Sequence, residues 1–393
     1  MSLFRRCFIL ILLLSSSPSW AISVLFINPG KTSEAFWVSV SQSMAAAAQD
    51  LGMELRIIYA ERDHLRMPLL LQHAIDQEAK PDYLIVVNER QMAPPLLAIA
   101  ERAHIPTLLA FNDLTSEQLM QSGLPREKLK YWIGSLTSDN RQAGYLTGKT
   151  LLKRLVQSKK PAADGRYQLL AMAGDKSTPA SQERLLGLQD ALQEFPNVEL
   201  KQVIHGNWSR GLAAEQMTVL LDRYPDLAAV WCSNDLMAFG VLSSLERRYG
   251  RDQAVLVSAI NHSNDAISMI KKGRLTALAA GHFLLGAWSM VLLYDYAHGY
   301  DFVAQGTQIQ LPMFSMVNAN NADLFLSRFS RQGLSLYDFS RYSKAINPKI
   351  NHYSGESFAT LDACVSTRIA GKTNKSRACT QDSKLLIARS SMK

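Results

Sequence analysis

The sequence predicts an α/β fold in which strands and helices alternate into two parallel sheets. Three observations carry this. Short apolar runs recur between stretches of helical length, the pattern that parallel strands and their crossovers require. The alternation runs as one series over residues 22–134 and restarts at residue 166, which implies two similarly built halves. Residues 228–240, AAVWCSNDLMAFG, pass straight from a buried strand through Ser233, Asn234 and Asp235 into a helix, the unit that such a fold repeats.

The elements follow in order. ISVLFIN (22–28) is a strand, and residues 35–51 form a helix ending at Gly52. MELRIIYA (53–60) is the next strand and 66–79 the next helix. DYLIVVN (82–88), a helix over 95–103 and IPTLLAFN (105–112) continue the series. The strand YWIG (131–134) leads into the helix that begins SDNRQAG. RYQLLAMAG (166–174) opens the second series, with helix 181–194, strand 198–204 and helix 211–223. The strand ending at Cys232, helix 236–249, strand 254–260 and helix 264–271 complete it. Then the order breaks: LTALAAG (275–281) reads as a strand, 282–298 as one long helix and 307–311 as a short strand. Residues 331–393 lose periodicity, so a peripheral extension is expected, poorly ordered over roughly its last 20 residues.

Composition bounds the function. Arg5 and Arg6, the apolar run from Cys7 to Leu14, and the small residues Ser19 and Ala21 read as a secretory signal peptide cleaved after Ala21. Ile22 follows the cleavage site, and a lipoprotein would need Cys there. The rest lacks an apolar run of about 18 residues, so an exported soluble protein of the periplasm is expected. The net charge is +8, yet residues 341–393 hold ten Lys/Arg against three Asp/Glu. The basic character belongs to a tail, which disfavours a body that binds nucleic acid. Of four cysteines, Cys7 leaves with the leader and Cys232 sits in an apolar strand. Cys364 and Cys379 are expected to pair after export, closing a loop of about 15 residues worth roughly 3 kcal/mol.

Motifs point to binding. Gly30-Lys31-Thr32 suggests a phosphate loop, but the glycine required five positions earlier is Leu25. Phe36 and Trp37 are adjacent aromatics at a helix start; packing accounts for one, and a ligand-stacking role for the other is an even alternative. Asn88 and Asn112 close apolar strands, as plain turn residues also would. Arg184 begins a helix, Trp208 lies in the loop GNWSRG, Asn234 opens a helix and Asn261 follows a strand. Each of these lies at the C-terminal end of a strand, where an α/β cleft forms. HExxH, GxSxG and CxxC are missing from the sequence, and neither a metal site nor a cofactor site is read. Amides, aromatics and one Arg suit a neutral polyol.

In order and spacing, NPGKTSEAFW, DNRQAG, SQERLLGLQDAL, GNWSRGLAAEQ and SNDLMAFG resemble the type I periplasmic binding proteins of the ribose- and galactose-binding branch, over residues 22–326. The resemblance implies two doubly wound parallel-sheet lobes joined by three crossovers, closing on ligand like a jaw. The order break after Gly273-Arg274, where a strand leads into a lone long helix that the first lobe lacks, predicts lobes of about 22–135 plus 281–311 and about 136–280 plus 312–330. Phe36, Trp37 and Trp208 match the aromatics that sandwich the sugar; Asn88, Asn112, Arg184, Asn234 and Asn261 match its hydrogen-bonding partners. Asn112 and Asn261 depart from the usual Asp, and Gly281, with His282 beside it, falls where Gln is common. Two strong acceptors are thereby lost, which opens the way to a modified sugar or to a furanosyl signal like that of the related quorum-signal binders. A non-enzymatic monomer is implied, delivering its ligand to the permease of an ABC importer. The alternative is a ligand-sensing subunit of a membrane receptor. A sugar-responsive repressor shares the core, but has a helix-turn-helix where this chain has its leader.

Overall fold

In the computed structural model, which describes residues 21–354 apart from 78, 252 and 253, the apolar runs become two six-stranded sheets. Residues 1–20 of the expected leader, the Cys364 and Cys379 pair and the tail expected to be poorly ordered lie outside the described residues.

The chain opens with β1 (Ser23–Asn28), α1 (Ala35–Leu51), β2 (Glu54–Tyr59), α2 (Met67–Gln77), β3 (Tyr83–Val86) and α3 (Ala93–Arg102). It continues with β4 (Thr107–Phe111), α4 (Ser116–Ser122), β5 (Trp132–Ser138) and α5 (Asn140–Ser158). The second series holds β6 (Tyr167–Ala173), α6 (Pro179–Leu192), β7 (Val198–His205), α7 (Arg210–Arg223), β8 (Leu227–Cys232) and α8 (Asp235–Tyr249). After β9 (Leu256–Ile260), α9 (Asn264–Lys271) and β10 (Ala277–Ala280) come α10 (Leu285–Ala297), β11 (Gln308–Leu311) and β12 (Ser315–Val317). The short helices α11 (Ala322–Phe329) and α12 (Arg331–Leu334) follow.

The two sheets repeat one order: β2-β1-β3-β4-β5-β11 and β7-β6-β8-β9-β10-β12. All pairings are parallel except that of β12, which runs antiparallel to β10. In such an order the chain winds one way from its first strand and then the other, leaving a crevice at the carboxyl ends of the first and third strands. Helices cover both faces of each sheet. On the first, α1 and α10 lie on one side and α2 and α3 on the other. On the second, α5 and α6 face α7 and α8 across the strands. The chain passes between sheets three times, after β5, β10 and β11.

Helix ends are placed by local chemistry. Gly52, at φ 63°, closes α1 by giving its N–H to the Ala48 and Gln49 carbonyls. Asp139 caps α5 by accepting from Gln142 N, and Asn234 caps α8 by accepting from Met237 N, each at 2.8 Å. Some elements differ from the sequence reading. The strand expected at 131–134 extends to Ser138, and the helix expected from residue 282 begins at Leu285, after a tight turn over His282–Leu284. The extension is packed where it begins: Leu334, Tyr337, Phe339 and Tyr353 are buried on the side of α1 and α10. Those aromatic positions lack a helical or strand period, so the pattern conceals them.

Candidate ligand site between the sheets

The crevices of the two sheets face each other. On the first, Asn28 ends β1 and turns the chain, its Oδ1 accepting from Gly30 N (2.9 Å) and its Nδ2 donating to Ser41 Oγ (3.2 Å). That turn places Phe36 and Trp37 in the first turn of α1. Trp37 lies against Gly30, where an added Cβ would stand 2.1 Å from the indole, so only glycine fits. Trp37 is 4% exposed, packs edge-on to Phe111 at 5.2 Å, and its Nε1–H finds no acceptor among the described residues. Phe36 stacks on His282 at 4.5 Å, and Phe314 covers the other face of that ring at the same distance.

On the second sheet, the position of Arg184 follows from two glycines. A Cβ at Gly144 of α5 would meet the Arg184 carbonyl oxygen of α6 at 1.9 Å, and one at Gly187 would meet the Arg141 carbonyl oxygen equally closely. The two helices therefore touch backbone to backbone, which brings Arg184 to the cleft. Arg184 donates through Nε to Asn140 Oδ1 (2.8 Å), through Nη1 to the Ser233 carbonyl (2.8 Å), and through Nη2 to His282 Nε2 (3.1 Å). Burial brings its guanidinium down to about 10, with Glu183 and Asp235 opposing, so it stays charged at neutral pH. Because arginine only donates, His282 Nε2 must accept, and the ring proton sits on Nδ1. Burial, Arg184 and His262 together hold the His282 imidazole well below its ordinary range, in its neutral form.

Trp208, at φ 60°, lies over Gly174 and donates from Nε1 to Asp175 Oδ2 (2.7 Å). Burial alone would raise the Asp175 carboxyl, but bonds from Thr178, Ser177 and Trp208 outweigh it and hold it low. Asn261 sits at φ 106° and donates to Asp235 Oδ1 (3.0 Å). Asn112 reaches across, its Oδ1 accepting from Ala180 N at the start of α6 (3.0 Å), so the two halves are closed on each other.

Between these walls lies a cavity of about 60 Å³, partly open to solvent. Seven of the eight residues singled out from the sequence line it: Phe36, Trp37, Asn112, Arg184, Trp208, Asn234 and Asn261. Asn88 does not. Its Nδ2 donates to the Asp113 carbonyl (2.8 Å) and Gln118 Oε1 (2.7 Å), and its Oδ1 accepts from Ala93 N, so it braces the turn after β3. Sequence reasoning missed Glu34, Arg62, Glu89 and Asn140, which line the cavity too. All four follow strand ends, so the position rule applied to every polar or charged residue there would have found them.

Arg62 gathers the two carboxylates. Its Nε and Nη2 both engage Glu34, and its Nη1 donates to Glu89 Oε1 at 2.8 Å. Burial would lower its guanidinium, yet Glu89 and Glu34 outweigh that and raise it. Among the described residues no group of three or more His, Cys, Asp or Glu is placed to hold a metal, and no helix is long and apolar enough to cross a membrane.

The model of the periplasmic binding protein domain matches residues 24–301, the span that builds both sheets through α10. The chain belongs to the periplasmic binding protein family. A periplasmic sugar-binding protein from Pseudomonas fluorescens is 38% identical in its crystal structure, with a TM-score of 0.74 over 85% of this chain and 97% of that one. Among curated periplasmic binding proteins, the D-apiose import binding protein of Paraburkholderia graminis is 23% identical over 75% of this chain and 87% of its own length. The D-allose-binding periplasmic protein of Escherichia coli is 22% identical over 72% and 87%.

Proposed function

We propose that this chain is an exported, monomeric solute-binding protein that captures a sugar or sugar-like polyol between two lobes and delivers it to the permease of an ABC importer. One observation carries the reading: aromatic rings, amides and a buried guanidinium from the carboxyl ends of both sheets converge on one cavity. Aromatic faces suit the C–H faces of a sugar ring, and amides suit its hydroxyls. The relatives named above support the ligand class, since their names record apiose and allose. The lobes are 22–135 plus 281–311 and 136–280 plus 312–330, hinged at the three crossings, and residues 1–21 direct export. The ligand holds the jaw shut because its partners come from both sides. A thermal-shift screen of neutral pentoses, hexoses and furanosyl compounds tests this. A ligand at about 100 times its dissociation constant should add roughly 2.7 kcal/mol of stability. A protein that no such compound stabilises would overturn the reading.

A further inference from the structure

The carboxylates absent from positions 112 and 261 re-enter the cleft from elsewhere. Asn112 Oδ1 accepts from Ala180 N, and Asn261 Nδ2 donates to Asp235, so neither amide is wholly free for a ligand. Glu34 and Glu89 line the same cavity with side chains only 9% and 7% exposed. Arg62 treats them unequally. It grips both oxygens of Glu34 and a single oxygen of Glu89. The second oxygen of Glu89 bonds no described residue, and it is not among the sealed, unpaired polar atoms, so it faces the cavity.

The Arg62 guanidinium that holds Glu89 lies 6.0 Å from the Trp37 ring centre, so the acceptor and the aromatic wall are neighbours. A ligand hydroxyl at this wall can donate to the second oxygen of Glu89. The charges lining the cavity are those of Glu34, Glu89, Arg62 and Arg184, which cancel. Arg62 gives three of its five N–H donors to two carboxylates, and two negative groups against one positive leave the first-sheet wall unfavourable for an anionic group.

We infer that Glu89 is the specificity-determining acceptor of the cleft: it takes a hydrogen bond from a ligand hydroxyl, and selects an uncharged polyol over a phosphorylated or acidic sugar. Arg62 is the positioning residue, acting through Glu89. This rests on the reading of the cleft as a sugar site, and the experiment separates the two.

The probes are D-ribose, D-allose, D-galactose and L-arabinose, with D-ribose 5-phosphate and D-galacturonate as charged counterparts, titrated calorimetrically into the full exported chain. The tightest neutral binder is then compared with its monodeoxy forms. Glu89→Gln keeps the volume and the oxygen that Arg62 holds. It should weaken the neutral sugar roughly 10- to 100-fold and leave the unliganded melting temperature within about 2 °C. One deoxy form should bind wild type and Glu89→Gln alike within about twofold, because the hydroxyl that senses Glu89 is gone. A merely structural role would not produce that convergence. Where Glu89→Gln does not fold, Glu89→Asp, which withdraws the oxygen by one methylene, is read in the same way. Unchanged affinity in the variant, or a charged sugar binding wild type more tightly than its neutral parent, overturns the inference while the sugar-site reading stands. A wild type that binds none of the probes overturns both.

Discussion

Arg184 brings five donors into the cleft and uses three of them on Asn140, the Ser233 carbonyl and His282, which leaves two for a ligand oxygen. Arg184→Ala should therefore weaken binding by roughly 10- to 150-fold. Arg184→Lys should recover little, because a single ammonium cannot span three acceptors set apart in one plane. Calorimetry with the sugar found by screening reads both, and an unchanged affinity in Arg184→Ala would move the residue into the scaffold. Trp208→Ala should weaken binding similarly by losing an aromatic face of the cleft. The bond to Asp175 and the contact with Gly174 add a stability cost of about 1–2 kcal/mol. His262, stacked on Phe283 at 4.0 Å, is brought down to about 3 by burial. Below about pH 6.5 the unfolded chain binds a proton here that the folded chain does not. Stability is then lost as pH falls, by roughly 1.4 kcal/mol per unit from this residue. Glu183, raised to about 7 chiefly by burial, acts in the opposite direction over part of that range. The useful quantity is thus the difference between wild type and His262→Gln. Between about pH 6.5 and pH 5, urea unfolding should show the variant losing roughly 2 kcal/mol less than wild type; parallel losses would refute the assignment.

At the scale of elements, α5 and α6 act as one unit that aims Arg184. Gly144→Ala would drive a methyl into the Arg184 carbonyl oxygen, which stands 1.9 Å from the added Cβ, so the helices must separate. Overpacking of this kind costs about 1–3 kcal/mol. Because Arg184 moves with its helix, affinity should fall as well, although Gly144 is not among the residues lining the cavity. Gly148→Ala, where the nearest atom is the flexible end of Leu188 at 3.0 Å, should cost less on both counts. Melting temperature and sugar titration of the two variants check this, and equal behaviour would mean that the contact does not aim the arginine. The strands and long helices were legible in the sequence because a buried parallel strand is a short apolar run and a covering helix has its own period. Seven residues of the cleft were legible because they follow strand ends. Glu34 and Glu89 were passed over because acidic residues at a rim read as solvated until Arg62 is seen to gather them. Arg62 itself sits at φ 66°, a left-handed conformation that no sequence period announces. Asn88 obeyed the position rule and still faces the wrong way, since which way an amide turns depends on neighbours such as Gln118.

At the scale of the whole molecule, the covalent path does not end at the third crossing. α11 lies against α9 in the second half, whereas α12 and the turn at Phe339–Tyr342 lie against α1 in the first. The chain thus ties the two halves a fourth time, bending at Ser330, and the tie is anchored on Asp295 of α10. This buried carboxylate accepts from Ser343 Oγ, Lys344 N (2.7 Å), Ala345 N (3.1 Å) and the Tyr353 hydroxyl (2.8 Å). Phe339 N adds a bond to Asp50 at the end of α1 (2.8 Å), and Tyr342 and Tyr353 cover Trp288. Asp295→Ala would leave four donors without their shared acceptor, at about 1–3 kcal/mol for each that stays buried. Releasing the segment is the cheaper outcome, since water then satisfies them. The expected result is a lower melting temperature together with new protease cleavage confined to residues 335–354. Sugar affinity should change by less than about threefold, because none of these residues lines the cavity. Cleavage unchanged from wild type would show that Asp295 does not anchor the tie. A large loss of affinity would instead show that the tie helps to set the closure of the jaw.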